Sequence, residues 1–460
     1  MKYSQSEVRS KARILPELKF EHQALTSFAG LVLVQKLFTV LALKERLHHC
    51  FAPLEKGKVF ARATVFLQLI VHLLLGYREL RDGRYYRDDP LVQRILGLHR
   101  LPDIATLSRA LKEATAESVH HLRVLLRELV FERLRVLAPA RVTLDFDGSV
   151  LSTTRRAEGT AVGFNKKKKG ARSYYPLFCT LAQTGQVIDV LHRPGNVHDS
   201  NGAQAFILAC IDAVRAAVPQ ALLEVRMDAA FFSDAIIEAL VDREVEFTIS
   251  VPFERFVELK GLIEQRRRWH RLDREAGYFE SHWKPQCWDT RFRFIFIRTR
   301  TKKQEKGPIQ LDLFVPYEYG YNFKVIVTNK PLQAKRVAAY HEGRGSQEGI
   351  FAELKSHCHL DYIPVRRRYG NQTYLLAGLL AYNLMRELQM RTSRPVRHTT
   401  ARRASLWVFE RVDTMRKTLI QRAGRFTRPQ HRLTLTISAN RWLQKRFLRI
   451  LNSVTETAVA

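Results

Sequence analysis

Val142-Thr143-Leu144-Asp145-Phe146-Asp147-Gly148-Ser149 is the run on which the architecture turns. Upstream, residues 1–138 carry apolar side chains at helical spacing with few strand-like runs. At Val142 the pattern becomes alternation. A strand sends successive side chains to opposite faces, so Asp145 and Asp147 share one face and Leu144 and Phe146 the other. The strand Val142–Val150 is followed by two more, Tyr174–Ala182 and Val187–His192, joined by a hairpin-like turn at Gln183-Thr184-Gly185. A helix (Ser200–Ala217), a strand (Leu222–Asp228), a helix (Asp234–Arg243) and a strand (Val245–Val251) complete the order βββαβαβ. That order predicts an α/β fold with a mixed sheet and helices on its faces.

Residues 253–336 interrupt the alternation. A basic helical stretch, Phe253–Trp269, precedes three strand-like runs, Arg291–Arg298, Ile309–Val315 and Phe323–Thr328, which read as an inserted β subdomain. Helical periodicity resumes over Gln347–Leu354 and in the apolar helix Tyr374–Leu388. Between Arg391 and Arg432 twelve Lys or Arg face two acidic residues, which marks a basic C-terminal region. The expected units are therefore a helical domain at 1–138, an α/β core at 139–252 and 337–390, the insertion at 253–336, and the basic region at 391–460. Within the helical part, Asp89-Pro90 opens a short helix, Leu91–Leu98. His99–Asp103 turns the chain, and Ile104–Glu113 forms a second helix carrying Thr106, Ser108 and Arg109. The pair resembles a helix-turn-helix, whose second helix enters a major groove, and an ordinary helical hairpin has the same pattern.

The 460 residues are 46% hydrophobic, which excludes a disordered chain, and carry a formal net charge of +31. A folded protein this basic repels itself, and the usual compensation is a polyanionic partner, here a nucleic acid. The five cysteines (Cys50, Cys179, Cys210, Cys287, Cys358) include no C-x-x-C pair, so neither a disulfide frame nor a zinc site is expected. The triplet His357-Cys358-His359 lacks a second ligand pair and reads as incidental. Met1–Lys19 is polar and unlike a signal peptide. The apolar stretches Leu31–Leu43 and Ala63–Leu75 fall short of the ~20 residues that span a bilayer, so they read as buried helices. The expectation is a cytoplasmic, nucleoid-associated protein without a membrane partner.

Three segments carry the chemistry. Two carboxylates on one face of the first strand, Asp145 and Asp147, are costly to bury unless a cation or donor compensates them. Magnesium, which takes hard oxygen ligands, suits such a site; a capping or turn aspartate would look the same. Asp228 ends its strand in Val225-Arg226-Met227-Asp228, and open α/β sheets place working groups at the carboxyl ends of strands. Ser233 or Asp234 is left to cap the next helix. In Tyr340-His341-Glu342-Gly343-Arg344-Gly345-Ser346-Gln347-Glu348, continuing to Lys355, the spacing puts Arg344, Glu348 and Lys355 on one face of a continuous helix. An i,i+4 surface ion pair accounts for Arg344 with Glu348 alone. It does not account for that motif following two strand-end aspartates.

Tyr340, Arg344, Glu348 and Lys355, in this order, resemble the YREK signature of cut-and-paste insertion-sequence transposases with a DDE catalytic triad. This sequence has one residue more between Tyr and Arg than the family pattern usually has. Leu191–Asp199 resembles the family's segment after the third strand, Tyr174–Phe178 its second strand, and the β insertion before the glutamate helix also matches. The resemblance covers roughly residues 85–440. It implies a ribonuclease H-like core, whose strand order the βββαβαβ pattern shares. It further implies Asp147 as first aspartate with Asp145 as its rival, Asp228 as second, and Glu348 as the glutamate, together holding two Mg2+ ions that Mn2+ can replace. Tyr340, Arg344 and Lys355 would contact the DNA. The implied reaction is cleavage at the ends of a mobile element and transfer of the freed 3′-ends to target DNA, by a homodimer in a synaptic complex.

Lys166, Lys167, Lys168 and Lys169 precede the second strand, where charge alone can follow a DNA backbone; a solvated loop is the plain alternative. Trp269, Trp283 and Trp288 accompany many arginines in the insertion. One such ring could stack on a displaced base, although most such tryptophans are core. Arg402-Arg403 and Arg422–Arg428 form a further DNA or partner surface. Two other functions fit parts of the pattern: a ribonuclease H-like nuclease, which would need no insertion, and a non-catalytic DNA-binding descendant of a transposase, which would not keep all three acids.

Overall fold

The computed structural model describes residues 15–52, 54, 59–154, 156–163, 165, 168–197, 202–301, 320–397, 405–438 and 440–456. A two-residue strand β1 (Leu25–Thr26) precedes six helices: α1 (Leu31–Val40), α2 (Leu43–Phe51), α3 (Arg62–Leu75), α4 (Pro90–Leu96), α5 (Ile104–Lys112) and α6 (Ala116–Leu137). Twelve of the fourteen residues of α3 are buried, because a helix apolar on every side needs neighbours all round. The two short helices start where the sequence placed them. The Asp89 carboxylate accepts the Leu91 and Val92 N–H groups at 3.0 and 3.2 Å with Pro90 at the first helical position, and Asp103 accepts that of Thr106 at 2.8 Å.

The strands follow: β2 (Arg141–Gly148), β3 (Leu151–Thr153), β4 (Ala161–Val162), β5 (Arg172–Tyr174), β6 (Leu177–Leu181) and β7 (Gln186–Leu191). The run read as one strand from Tyr174 is two, because Pro176 lacks an N–H and breaks the ladder between β5 and β6. Next come α7 (Ala203–Ala217), β8 (Leu222–Met227), α8 (Asp234–Asp242) and β9 (Glu246–Val251). Then follow α9 (Val257–Glu264), β10 (His270–Arg271), β11 (Ala276–Trp283), β12 (Phe292–Arg300) and β13 (Tyr321–Thr328). The run Ile309–Val315 lies outside the described residues.

One nine-stranded sheet has the order β10-β11-β12-β13-β9-β8-β2-β6-β7, and β3-β5-β4 form a small second sheet. The pairs β2–β8 and β8–β9 are parallel and the other pairs of the large sheet antiparallel. The insertion therefore does not build a sheet of its own. Its last strand pairs with β9 through Val325↔Val251 to Thr328↔Thr248 and carries β10–β12 outward along the same sheet. Alternation in β12 explains the join: Phe292, Phe294 and Phe296 enter the main core, while Ile295 and Ile297 pack on the opposite face with Val337 and Ala338. Trp288 is buried against Phe232 and Phe292, and Trp269 and Trp283, half-buried, pack against that core.

The helices after the sheet are α10 (Ala334–Glu342), α11 (Ser346–His357) and α12 (Arg368–Thr392), then the single turn α13 (Val412–Met415). β14 (Gly424–Thr427), β15 (Thr434–Ile437) and α14 (Arg441–Glu456) end the fold. α12 is buried along most of its length and packs on α3, α6 and α14. At Gly370 a Cβ would lie 2.3 Å from the Leu111 carbonyl oxygen, so glycine is what lets α12 approach α5. One apolar cluster runs from Phe28 through α12 to Val454. The helical segment and the described part of the basic C-terminal region thus share a core, and β1 pairs with β14. Among the described residues no helix is long and apolar enough to cross a membrane.

Burial holds two imidazoles of this fold neutral, lowering His72 to about 4 and His192 to about 3 from 6.5. Unfolding returns both to the ordinary value, so the unfolded chain binds more protons at mildly acid pH. Stability is then full above pH ~6.5 and falls as pH drops toward the folded values. The urea midpoint is expected to decline between pH 7 and 5, before most carboxylates titrate. The decline should be shallower in His72→Gln, which can still bond the Tyr86 hydroxyl, 2.9 Å from the His72 ring in the native protein. A midpoint that stays level over that range would contradict this account.

Candidate active site

Parallel pairing of β2 with β8 sets the site. Asp145 lies opposite Arg226 and Phe146 opposite Met227, so Asp147 and Asp228 are the next residues of adjacent strands, at one sheet end. Leu144, Phe146, Val225 and Met227 turn into the core. Alternation leaves the other face to Thr143, Asp145 and Asp147 on β2, and to Glu224, Arg226 and Asp228 on and beyond β8. A polar face inside a protein must be paired, and α10 and α11 cover this one with partners.

The pairs can be followed along it. Arg226 donates to both Asp145 oxygens at 2.6 and 2.7 Å, with side chains only 3% and 1% exposed. Burial works against the charge of Arg226, and the Asp145 carboxylate outweighs it and raises its pKa. The same guanidinium donates to the Tyr340 carbonyl at 3.0 Å and lies 5.2 Å from the centre of the Tyr340 ring. It also fills the space at Gly343, where a Cβ would sit 2.1 Å from Nη1. Gln347 donates to the Asp145 carbonyl at 3.0 Å. One buried arginine and one glutamine therefore fasten α10 and α11 to the two aspartate strands. Beside them Lys330 and Arg141 hold Glu224, whose carboxyl burial would raise but whose cations bring it below the ordinary range. His341 bonds Ser250 and Thr248 at 2.8 and 3.0 Å and is kept neutral, first by burial and then by nearby cations.

The expected site residues fall into three groups. Asp147 and Asp228 lie at one end of the sheet on adjacent strands, and Glu348 follows Gln347 on α11, the helix that Gln347 ties to the Asp145 carbonyl. Their carboxylates do not form a closed cage. Arg344 donates to Asp147 at 3.4 Å, Asp228 accepts the Ala230 N–H at 3.0 Å, and Glu348 is exposed. Among the described residues no three His, Cys, Asp or Glu side chains could hold one metal ion.

Asp145 and Tyr340 form the second group and are committed elsewhere. Asp145 is buried against Arg226, and Tyr340 has a buried hydroxyl and a ring between Arg226 and Lys330, 4.4 Å from Lys330 Nζ. Neither faces the space where the other carboxylates meet solvent. Arg344 departs from expectation in another way. The helix breaks over Gly343–Gly345, so Arg344 sits on a 3₁₀ turn while Glu348 and Lys355 share a face of α11.

The third group surrounds a groove of about 900 Å³ beside the sheet end, lined among others by Ser149, Ser152, Lys168, Tyr175 and Lys355. Lys168 and Lys169 are exposed there or nearby; Lys166 and Lys167 lie outside the described residues. Arg226 and Gln347 are the residues that sequence reasoning missed. A signal existed: both strands end in the same pattern, a charged residue, an apolar one and an aspartate, with opposite signs at Asp145 and Arg226.

The family model described as transposase DDE domain group 1 matches residues 9–459. No curated protein matches the chain in sequence. Among solved structures, the piggyBac transposase synaptic complex with hairpin DNA is similar at 10% identity and a TM-score of 0.40, over 94% of this chain and 82% of that one. The Mos1 transposase paired-end complex with the left transposon end is similar at 13% identity and a TM-score of 0.18, over 42% of this chain and 60% of that one. Likenesses this slight carry no argument, and membership rests on the family model.

Proposed function

The chain belongs to the DDE transposases and is a DNA transposase, an enzyme that cuts DNA, and on that premise we propose that Asp147, Asp228 and Glu348 are its catalytic carboxylates. The observation that carries this is the parallel register of β2 and β8, which makes the two aspartates neighbours, with α11 docked across their strand end by Gln347. Counting from β2, the strands β2, β6, β7, β8 and β9 lie in the order three-two-one-four-five with the second antiparallel to the first. That order supports reading this part of the sheet as a ribonuclease H-like core.

Three carboxylates are the hard oxygen donors that Mg2+ takes, with waters to complete the shell, although as they stand the three side chains are not gathered about one ion. Two such ions, for which Mn2+ would substitute, would activate a water or 3′-hydroxyl and stabilise the leaving oxygen of an in-line displacement. The side chains must first gather, and Arg344 is the group that moves aside. Released from Asp147, its guanidinium is placed to take a phosphate oxygen. Lys355 and Lys168, across the groove, hold the flanking backbone by charge. Substrate DNA would be the element's ends and then the target, joined by a homodimer acting at the nucleoid.

A Mg2+ titration tests the carboxylates directly. Cleavage of a labelled duplex carrying the DNA that flanks the reading frame should rise to a plateau with Mg2+. In Asp228→Asn the curve should stay flat or shift to at least about tenfold higher Mg2+. A variant curve that overlays the wild type would remove Asp228 from the site.

A further inference from the structure

Two segments from opposite ends of the chain form one exposed cationic surface, built from none of the carboxylate residues. β14 is antiparallel to both β1 and β15, with Leu25↔Arg425 and Gly424↔Ile437 among its pairs. The next residue of β1 ties this small sheet to α4. The Thr26 hydroxyl donates to the Asp89 carboxylate at 2.8 Å and the Ser27 N–H at 3.0 Å, the same carboxylate that caps α4. Hairpin and helix are thus fixed to each other at one residue.

A cavity of about 360 Å³ lies between them, lined by Arg94 of α4 and by Arg428 and Leu433 of the β14–β15 turn. Arg94, Arg428 and Arg432 are all exposed, and left-handed backbone at Gln430 and His431 shapes the turn that carries the last of these. A second cavity, of about 620 Å³, is lined by Gln93 of α4, Arg100 of the following turn and Ile104 at the start of α5. The surface therefore continues from the hairpin across α4 to α5. Among the described residues none of Arg94, Arg100, Arg428 and Arg432 is ion-paired, whereas the buried Arg133, Arg226 and Arg386 each hold a carboxylate.

Clustered unpaired guanidinium groups repel one another and contribute nothing to the core, so their use lies with a polyanion. We propose that the α4–α5 pair and the β14–β15 turn form one composite docking surface for duplex DNA. The start of α5 enters the major groove, and Arg94, Arg428 and Arg432 hold phosphates of the adjoining backbone. The proposal rests on the reading of the chain as a transposase and names the surface that grips the duplex away from the cut.

The test is the double variant Arg94→Gln Arg428→Gln, in which both changes are on the surface and the urea midpoint should match the wild type. The probe is a fluorescent duplex of the DNA flanking the reading frame, titrated at several salt concentrations. Affinity should fall on the order of tenfold, and the log–log salt slope should become shallower by about 2. Affinity and slope equal to wild type would overturn the surface, as would a loss seen with single-stranded DNA and not with the duplex. The two readings fail separately. Wild type that binds the duplex and cannot cut it contradicts the carboxylate assignment, whereas cutting with binding indifferent to the two arginines contradicts this surface alone.

Discussion

Glu348→Gln is expected to bind duplex DNA as the wild type does and to lose cleavage by about 10³-fold or more. The substitution keeps the volume of the side chain and removes only its charge. Glu348 is exposed, while α11 is held by Gln347 and by the buried Ile350, Phe351 and Leu354, so the helix has no reason to shift. What changes is the charge of the third proposed carboxylate. Two carboxylates give weaker purchase to divalent ions than three, and the developing charge of an in-line displacement is left uncompensated. Gel-resolved cleavage of an end-labelled duplex in Mg2+, beside a binding isotherm for the same duplex in Ca2+, reads both quantities. Cleavage within a few-fold of wild type would end the role given to Glu348.

The second large effect concerns Arg226, which touches no substrate. Arg226→Met leaves the Asp145 carboxylate buried without its bidentate partner, and breaking such a pair from one side costs about 3–5 kcal/mol. The double variant Asp145→Leu Arg226→Met removes the orphaned charge as well, and should recover most of that loss, since apolar replacement of both partners is often neutral. Function should not return with stability. The donor to the Tyr340 carbonyl and the guanidinium seated at Gly343 are gone, so the junction of α10 and α11 loses its tie to β8 while Gln347 still holds α11. The refolded double variant is expected to need about 10–100-fold more Mg2+ for half-maximal cleavage. Urea unfolding and the metal titration together decide. If stability and metal requirement recover in step, Arg226 is a structural residue with no positioning role.

Much of this was legible from spacing alone. β2, β6, β7, α7, β8, α8 and β9 sit within a few residues of their expected positions, because each strand alternates and each helix shows one apolar face, whereas the short β3 and β4 were not expected. β11 escaped notice since only Phe279 of its eight residues is buried, which leaves no alternation to read. The continuity of the insertion with the main sheet depends on which strand pairs with β9, a non-local choice that no local pattern records. The rivalry between Asp145 and Asp147 has the same origin. Both lie on one face, and only the register across to Arg226 shows which of them is neutralised. The C-terminal region was a different matter. Its basic composition drew attention away from Leu443, Phe447, Ile450 and Val454, a 4-3-4 apolar spacing that seats α14 in the helical core.

That shared core has a consequence for synthesis. On the ribosome α3 emerges early, yet α12, the helix it packs against most, comes hundreds of residues later. Translation at ~5–20 residues per second leaves this greasy rod waiting for tens of seconds, in need of a chaperone's shelter. The nine-stranded sheet, by contrast, has all its strands before α12 is made. A message cut short between α11 and α12 would yield a product that carries all three proposed acids and leaves its first helices uncovered, fit for proteolysis before it could nick a chromosome.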